Sequence, residues 1–311
     1  METKLYKFSG AGNDFVVIDG REGDVSAFRE LARIEALCKE FKTDGFMILG
    51  DGDAEVDFTM EFYNPDGSGG MMCGNGGRCI VAFADYLGIR PAHRPALRQA
   101  QGPGSEQVPE LVEGPAEYLF RAPDGLHTGE ILERPDGSTG SPTDRWIVRI
   151  KMIDVQGITP MLGGLFLNTG TRHFVKFVDD VEKVDIDTEG KARRWDPAFA
   201  PVGTNVNFVH VAPDGLHVRT FEKGVEGETL ACGTGLTASA IAAYQISRLR
   251  PAGSARNDKT DVISTKAEGR VEKSYRLRAR QDWLSVNFTP GADEKFTDVY
   301  LTGPARLVAV L

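Results

Sequence analysis

Two cysteines in the 311-residue chain stand in nearly the same local sequence. Residues 71–78 read MMCGNGGR around Cys73, and residues 230–235 read LACGTG around Cys232. Each cysteine directly precedes a Gly-x-Gly turn, and each turn opens onto an apolar run with helical spacing. Two thiols in matching settings predict one active site that is built from two related halves of the chain.

The chemistry that two such thiols could perform is the inversion of an α-carbon, which needs a base on one face of the substrate and an acid on the other. One cysteine can act as thiolate and the other as thiol, with the roles exchanged in the reverse direction. A free thiol has a pKa of about 8.5, and a helix N-terminus favours its anion. The pattern therefore predicts a cofactor-free racemase or epimerase that uses Cys73 and Cys232.

The glycines of these turns have a role of their own. Gly74, Gly76, Gly233 and Gly235 allow backbone amides to approach a ligand closely. Two facing helix N-termini would hold a carboxylate, and they would stabilise the charge that develops on it when the α-proton leaves. The sequence has no Walker A motif, no dinucleotide fingerprint and no clustered metal ligands, so we expect neither a cofactor nor a metal.

Composition narrows the class of protein. A net charge of −9 argues against a nucleic-acid binder. The N-terminus lacks the apolar region of a signal peptide. The sequence contains no run of 18 apolar residues, so we expect no membrane span. Four cysteines are too few for a disulfide framework, and Cys38 and Cys79 lie on predicted helices where we expect them to be buried. We expect a cytoplasmic protein with free thiols and a small-molecule substrate.

Apolar residues with a 3.6-residue period predict three longer helices. The first covers residues 28–41, the second follows Asn75 and ends near Gly88, and the third follows Cys232 and ends at 248–251. Most other apolar runs alternate as strands do. The two helices that follow the cysteine turns, among many strands, predict an α+β architecture, in which each half is a curved, mostly antiparallel sheet wrapped around a central helix.

The two halves share a register that extends beyond the cysteine turns. One phenylalanine lies eleven residues before each cysteine. The register pairs Phe62 with Phe221, Tyr63 with Glu222, and Asn64 with Lys223. Such internal similarity predicts two pseudo-symmetric domains, residues 1–148 and residues 149–301. Residues 91–117 are rich in proline and glycine without periodicity, and we expect them to form an inserted surface loop of the first domain.

Two other features near the cysteines leave alternatives open. The glycine-rich turn at residues 10–14 is either a hairpin loop, which the local sequence favours, or a binding loop that offers Asn13 to a ligand. His173 and Glu222 are candidates for supporting the proton transfer, either by tuning a thiol or by holding a substrate amine. A lone histidine near a strand end is more often structural, whereas Glu222 directly precedes the second cysteine loop.

Three motifs resemble the diaminopimelate epimerase family: residues 8–15 (FSGAGNDF), residues 62–78 with the first cysteine, and residues 222–235 with the second. The resemblance implies interconversion of LL- and meso-diaminopimelate in lysine biosynthesis, with Cys73 and Cys232 as the acid/base pair. It implies substrate contacts from Asn13, Asn64, Asn205 and Glu222, and carboxylate contacts from Gly74, Asn75, Gly233 and Thr234. It also implies a homodimer of two-domain subunits, with a C-terminal strand at about 302–311 that returns to the first domain.

The chain departs from the family pattern where the substrate's distal end is expected. Gly-Thr-Arg-His stands at residues 170–173 in place of Gly-Asn-Pro-His, so Thr171 takes the contact position and still offers a hydrogen bond. Lys223 stands where arginine is common, and lysine does not grip a carboxylate bidentately. We nevertheless expect Thr171 and Lys223 to contact the substrate. Gly45 stands where some members have a glutamine, so that role is not carried over.

The sequence leaves other functions open. A proline or hydroxyproline racemase of the same fold also pairs two cysteines, but it typically has histidine where this chain has Asn75. The phenazine-biosynthesis isomerases share the fold without the cysteine pair. A non-catalytic binding module, a redox protein or a metal protein would be a different class, and the last of these would favour a Cys-x-x-Cys spacing that the sequence lacks.

Overall fold

The computed structural model describes residues 3–70, 72–92, 116–135, 145–249, 263–267 and 270–311. Residues 93–115, which make up most of the predicted surface insertion, lie outside the described residues.

Helices and strands alternate unevenly, with strands in the majority. The helices are α1 (Leu31–Phe41), α2 (Gly74–Tyr86), α3 (Lys191–Arg194) and α4 (Gly233–Leu249). The strands are β1 (Leu5–Gly10), β2 (Asn13–Asp19), β3 (Gly45–Asp51), β4 (Phe58–Tyr63), β5 (Ala116–Ala122), β6 (Gly125–Glu133), β7 (Trp146–Lys151), β8 (Ile158–Met161), β9 (Gly164–Asn168), β10 (Arg172–Phe177), β11 (Asn205–Ala212), β12 (Gly215–Glu222), β13 (Gly227–Thr229), β14 (Ile263–Ala267), β15 (Arg270–Arg278), β16 (Trp283–Pro290) and β17 (Phe296–Val310). This sheet-dominated content confirms the predicted α+β class.

Strand pairing is mostly antiparallel and follows the same pattern twice. The series β1–β2–β3–β4 pairs antiparallel, parallel and then antiparallel. The series β9–β10–β11–β12 pairs in the same order. Each series is then continued by a parallel pair, β4 with β5 and β12 with β15.

Two helices occupy the interior of these strands. Helix α2 packs against β1, β2, β6 and β7, and all its residues from Gly74 to Ala84 are buried. A buried helix is usually apolar on every side, and the run Ile80–Ala84 follows that pattern, whereas Asn75 and Arg78 are buried polar exceptions. Helix α4 packs in the same way against β9, β10, β11 and β12. Strand β17 packs against both helices and therefore connects the two regions of the core around them.

The boundaries of two predicted elements differ from the structure. The helix expected at 28–41 is a 3-10 turn at Ser26–Arg29 and then α1, because Glu30 between them is extended. Leu31, an apolar residue at the start of α1, is 61% exposed. The C-terminal strand expected at about 302–311 begins earlier, at Phe296. It is longer because β17 pairs first with β16 and then with β7 and β1.

Candidate active site

Each of the two predicted catalytic cysteines stands directly before a helix. Cys73 has an extended backbone and caps α2, where its Sγ accepts a hydrogen bond from the N–H of Gly76 at 3.2 Å. The carbonyl of Cys232 accepts from the N–H of Leu236 at 2.9 Å, which begins the hydrogen bonding of α4. Cys73 is half-buried and Cys232 is buried. Both cysteines therefore stand at a helix start, where backbone N–H groups lack a partner within the helix.

The two helix starts touch each other through their first glycines. A Cβ added to Gly74 would lie 3.7 Å from the Cα of Gly233, and one added to Gly233 would lie 3.4 Å from the Cα of Gly74. Either Cβ would also come within 2.9 Å of the Cδ2 methyl of Leu301, which is closer than real Cβ contacts. Leu301 lies on β17, so this strand packs against both helix starts at their point of contact.

The Asn75 side chain joins the two cysteine segments. Its Nδ2 donates to Asn13 Oδ1 at 2.5 Å and to the carbonyl of Ala231 at 3.0 Å. Its Oδ1 accepts from Arg78 Nη2 at 2.9 Å. Because both amide hydrogens are already engaged, Asn75 can offer a ligand only its backbone N–H.

The turn at residues 10–14 is the hairpin that the local sequence favours. Ala11 and Gly12 both have positive φ, at 56° and 92°, as a two-residue hairpin turn of type I′ requires. The same turn brings Asn13 against Asn75, and a Cβ on Gly12 would come within 3.4 Å of the side chain of Leu230. The hairpin therefore also lies against both cysteine segments.

His173 is completely buried beside the second helix start, and its hydrogen bonds determine its tautomer. Thr220 Oγ1 donates to Asn207 Oδ1 at 2.9 Å, which turns the Asn207 amide nitrogen toward His173 Nδ1, also at 2.9 Å. Nδ1 is therefore an acceptor and Nε2 carries the hydrogen. Burial lowers the pKa of His173 to about 3, so the ring is neutral at physiological pH.

The Nε2–H group of His173 points at two threonine hydroxyls. Thr171 Oγ1 and Thr234 Oγ1 both lie 2.9 Å from Nε2, and Thr234 Oγ1 is in turn 3.4 Å from Cys232 Sγ. Asn205 Nδ2 donates to Thr171 Oγ1 at 3.1 Å. The structure thus brings Thr171, His173, Asn205 and Thr234 together around Cys232.

Three further predicted residues lie at the ends of equivalent strands. β4 ends at Tyr63 and β12 ends at Glu222, the residues that the sequence register pairs. Asn64 follows β4, and in the described chain its side-chain hydrogen bond stays in its own loop, to Ser68 at 3.0 Å. Glu222 accepts from Thr229 Oγ1 at 2.8 Å. Lys223 is exposed, and its backbone N–H donates to Asn205 Oδ1 at 2.8 Å.

Different charges act on the two thiols. Burial raises the pKa of Cys73 and the Glu222 carboxylate raises it further, whereas the N–H of Gly76 and, to a smaller extent, the Arg78 guanidinium lower it. Burial also raises the pKa of Cys232, and the Glu222 carboxylate raises it further. Burial in turn raises the pKa of Glu222 itself. No cation takes part at Cys232 among the described residues.

Two residues of this site, Arg78 and Asn207, have no role that the sequence pattern predicts. Arg78 lies within the quoted motif 72–78, but the sequence does not show that its guanidinium is buried without a carboxylate. Asn207 is two residues after Asn205 on the same strand, so the alternating pattern contained the signal. Cys38 and Cys79 are buried in the core, as predicted.

The described part of the chain contains no group of three or more His, Cys, Asp or Glu side chains placed to bind a metal ion. Of the helices that the structure describes, none combines the length and the apolar character that crossing a membrane requires.

Comparison with solved structures identifies the class of fold. A phenazine biosynthesis protein of the PhzF family from Bacillus anthracis matches with a TM-score of 0.62 at 11% identity, over 100% of this chain and 99% of that one. A hydroxyproline epimerase from Agrobacterium vitis matches with a TM-score of 0.55 at 15% identity, over 99% of this chain and 91% of the other. At these identities the likeness shows the fold alone, which this chain shares with an epimerase.

Sequence comparison identifies the family. The family model for diaminopimelate epimerase matches residues 5–95 and 165–275. The diaminopimelate epimerase of Flavobacterium psychrophilum is 32% identical over 98% of both chains. That of Aquifex aeolicus is 38% identical over 78% of this chain and 81% of its own. The chain belongs to the diaminopimelate epimerase family, and it is therefore an isomerase.

Proposed function

We propose that this protein interconverts LL- and meso-diaminopimelate by removing the α-proton with one cysteine and returning a proton with the other. The observation that carries the proposal is the contact between two helix starts, each with a cysteine directly before it. Membership of the family supports the choice of substrate. The proposed catalytic pair is Cys73 and Cys232.

The proposed reaction moves one proton off the substrate and one proton onto it. The thiolate takes the α-proton on one face, and the electron pair left on the α-carbon spreads into the carboxylate. Backbone N–H groups at the two helix starts hold that carboxylate and stabilise its growing charge. The thiol on the opposite face then donates its proton to the α-carbon, which inverts the configuration. The thiol and the thiolate have then changed places.

We assign the reacting carboxylate to backbone N–H groups at the starts of α2 and α4. Asn75 has no amide hydrogen left on its side chain, so its backbone N–H serves. The assigned residues are Gly74, Asn75, Gly233 and Thr234. His173 supports the second thiol as a neutral donor through Thr234, and its tautomer excludes it as a base.

We assign the distal end of the substrate to residues that differ between equivalent positions of the two halves. Asn64 and Lys223 occupy paired positions after β4 and β12, and a substrate with one reacting end and one anchored end needs such asymmetry. The proposed contacts are Asn13, Asn64, Thr171, Asn205, Glu222 and Lys223.

We further propose two domains, residues 1–148 and 149–301, with the end of β17 returning to the first. The repeated pairing order of the strands and the different sets of strands that pack around α2 and α4 support this division. A homodimer in the cytoplasm is proposed from the family resemblance, and the four free cysteines suit a reducing compartment. Light scattering on the full chain in reducing buffer, with a dimer mass expected, tests the assembly.

A substrate panel in D₂O tests the function. LL-diaminopimelate should yield the meso form with deuterium on the inverted α-carbon, as read by proton NMR. Proline and 4-hydroxyproline serve as controls that should show no exchange. Exchange on proline without exchange on diaminopimelate would replace the proposal with the proline-type alternative.

A further inference from the structure

The two cysteine half-sites differ at one equivalent position in their helices. Arg78 in α2 and Thr237 in α4 each lie five residues after their cysteine. Arg78 Nη1 donates to the carbonyl of Gly74 at 3.1 Å, and Thr237 Oγ1 donates to the carbonyl of Gly233 at 3.0 Å. The two side chains thus satisfy the same backbone group, but only one of them carries a charge.

The Arg78 guanidinium is buried without an ion pair. Its exposed fraction is 0%, and among the residues that the structure describes no carboxylate forms an ion pair with it. Its other hydrogen bonds go to Asn75 Oδ1 at 2.9 Å and to the carbonyl of Pro304 at 3.4 Å, which are neutral acceptors. An unpaired buried charge is costly, so it favours the ionised form of any acidic neighbour.

Three ionisable groups face Arg78, and one of them is suited to become that anion. Asp282 is held by Arg306 at 2.9 Å. Cys79 is sealed in the core, where burial raises its pKa. Cys73 is half-buried at a helix start, whose free N–H groups favour an anion.

We propose that Arg78 is a positioning residue whose charge holds the thiolate on Cys73, so that Cys232 is the thiol in the free protein. Glu222 faces both thiols, but at Cys73 the charge of Arg78 opposes it, whereas at Cys232 no cation does among the described residues. The consequence for turnover rests on the proposed function: the free protein would start with Cys73 as the base.

The proton positions can be measured without turnover. The full-length protein is alkylated with iodoacetamide in short pulses from pH 5 to pH 10, and each cysteine is quantified by peptide mass spectrometry. Only a thiolate reacts, so the pH midpoint reports ionisation, whereas the plateau rate reports access. In the wild-type protein the midpoint of Cys73 should lie below that of Cys232.

Three variants test whether Arg78 is the cause. Arg78→Met should raise the Cys73 midpoint by about one pH unit, which is about a tenfold loss of reactivity at neutral pH, and should move Cys232 much less. Arg78→Lys should restore most of the shift because it keeps the charge. Thr237→Val, the matched change in α4, should leave the Cys73 midpoint in place.

Two results would overturn the proposal. One is a Cys232 midpoint below that of Cys73 in the wild-type protein. The other is a folded Arg78→Met protein whose Cys73 midpoint equals that of the wild type. If Arg78→Met does not fold, the order of the two cysteine midpoints in the wild-type protein and the Cys73 midpoint of Arg78→Lys still test the proposal. Because alkylation needs no substrate, a failure here is distinguishable from inactivity on diaminopimelate.

Discussion

The two half-sites have the same backbone and different side-chain connections. In both, a cysteine precedes a helix, a carbonyl of that cysteine begins the helix, and a glycine follows at the contact between the helices. Around Cys73 the connection runs through the Arg78 guanidinium to the side-chain amide of Asn75. Around Cys232 it runs through hydroxyls to the neutral ring of His173.

This difference indicates what each level of similarity does. The repeated backbone places two equivalent cysteines beside the contact between the helices, as the proposed inversion requires. In the proposed mechanism, the unequal side chains set which cysteine is charged and distinguish the reacting end of the substrate from the anchored end.

Removing either proposed proton carrier should have the largest effect. Cys73→Ala and Cys232→Ala should each lower kcat by about 10³-fold or more, because proton transfer by a positioned group is lost. Epimerisation followed by NMR measures it. Cys38→Ala is the control, since Cys38 is buried on α1 away from the site, and its kcat should stay near that of the wild type. Wild-type turnover in either site variant would refute the two-base mechanism.

Separating the two helix starts should have the next largest effect. Gly74→Ala or Gly233→Ala places a methyl against Leu301 and the opposite backbone, and kcat/KM should fall by about 100-fold because the thiols are displaced. Steady-state kinetics on both variants tests this. Gly157→Ala is the matched control, because a Cβ there meets no atom within 4 Å. Unchanged kinetics in both site variants would show that the contact does not position the thiols.

Changing the tautomer of His173 should affect only the second half-site. Asn207→Asp replaces the donor at Nδ1 with an acceptor, which moves the ring hydrogen to Nδ1 and removes the donor at Nε2. We expect kcat to fall about tenfold or more. Nitrogen NMR of labelled histidine reports the tautomer, and Thr220→Val, which loosens Asn207 without adding charge, should give a smaller loss. A changed tautomer with unchanged kcat would remove His173 from the proposed mechanism.

The same buried ring predicts a dependence of stability on pH. The pKa of His173 is about 3 in the folded state and about 6.5 when exposed, so below pH 6.5 the unfolded chain binds a proton that the folded chain does not. Stability from this residue is therefore complete above pH 6.5 and is lost as pH falls, by up to about 1.4 kcal/mol per pH unit. Urea unfolding at pH 7, 6 and 5 should show a smaller loss in His173→Gln. Equal slopes in both proteins would contradict the assignment.

The smallest expected effect concerns the distal end. Lys223→Ala should raise KM about threefold to tenfold and leave kcat nearly unchanged, because one exposed charge-assisted contact is worth about 1 kcal/mol. The bond to Asn205 comes from the Lys223 backbone, so the substitution retains it. Lys183→Ala, at another exposed lysine, is the control. A changed kcat with an unchanged KM would place Lys223 outside substrate binding.

Local patterns in the sequence predicted much of the fold. Apolar periodicity located α2 and α4, and alternation located most strands, because each pattern reflects which face of its own element is buried. The break in the first helix at Glu30 was not predicted, because residues on both sides of it continue an apolar period. The full length of β17 was not predicted, because its three pairing partners come from distant parts of the chain.

Residue type and spacing were enough to identify the paired cysteines, the glycines beside them, the α+β class and the family. The contact between Gly74 and Gly233 appears only in the folded chain, because Leu301 on a distant strand packs against both glycines. Only the tertiary structure showed the isolation of Arg78, because burial and the lack of an ion pair are properties of packing. The electrical inequality of two sites with nearly identical sequences is therefore a tertiary property.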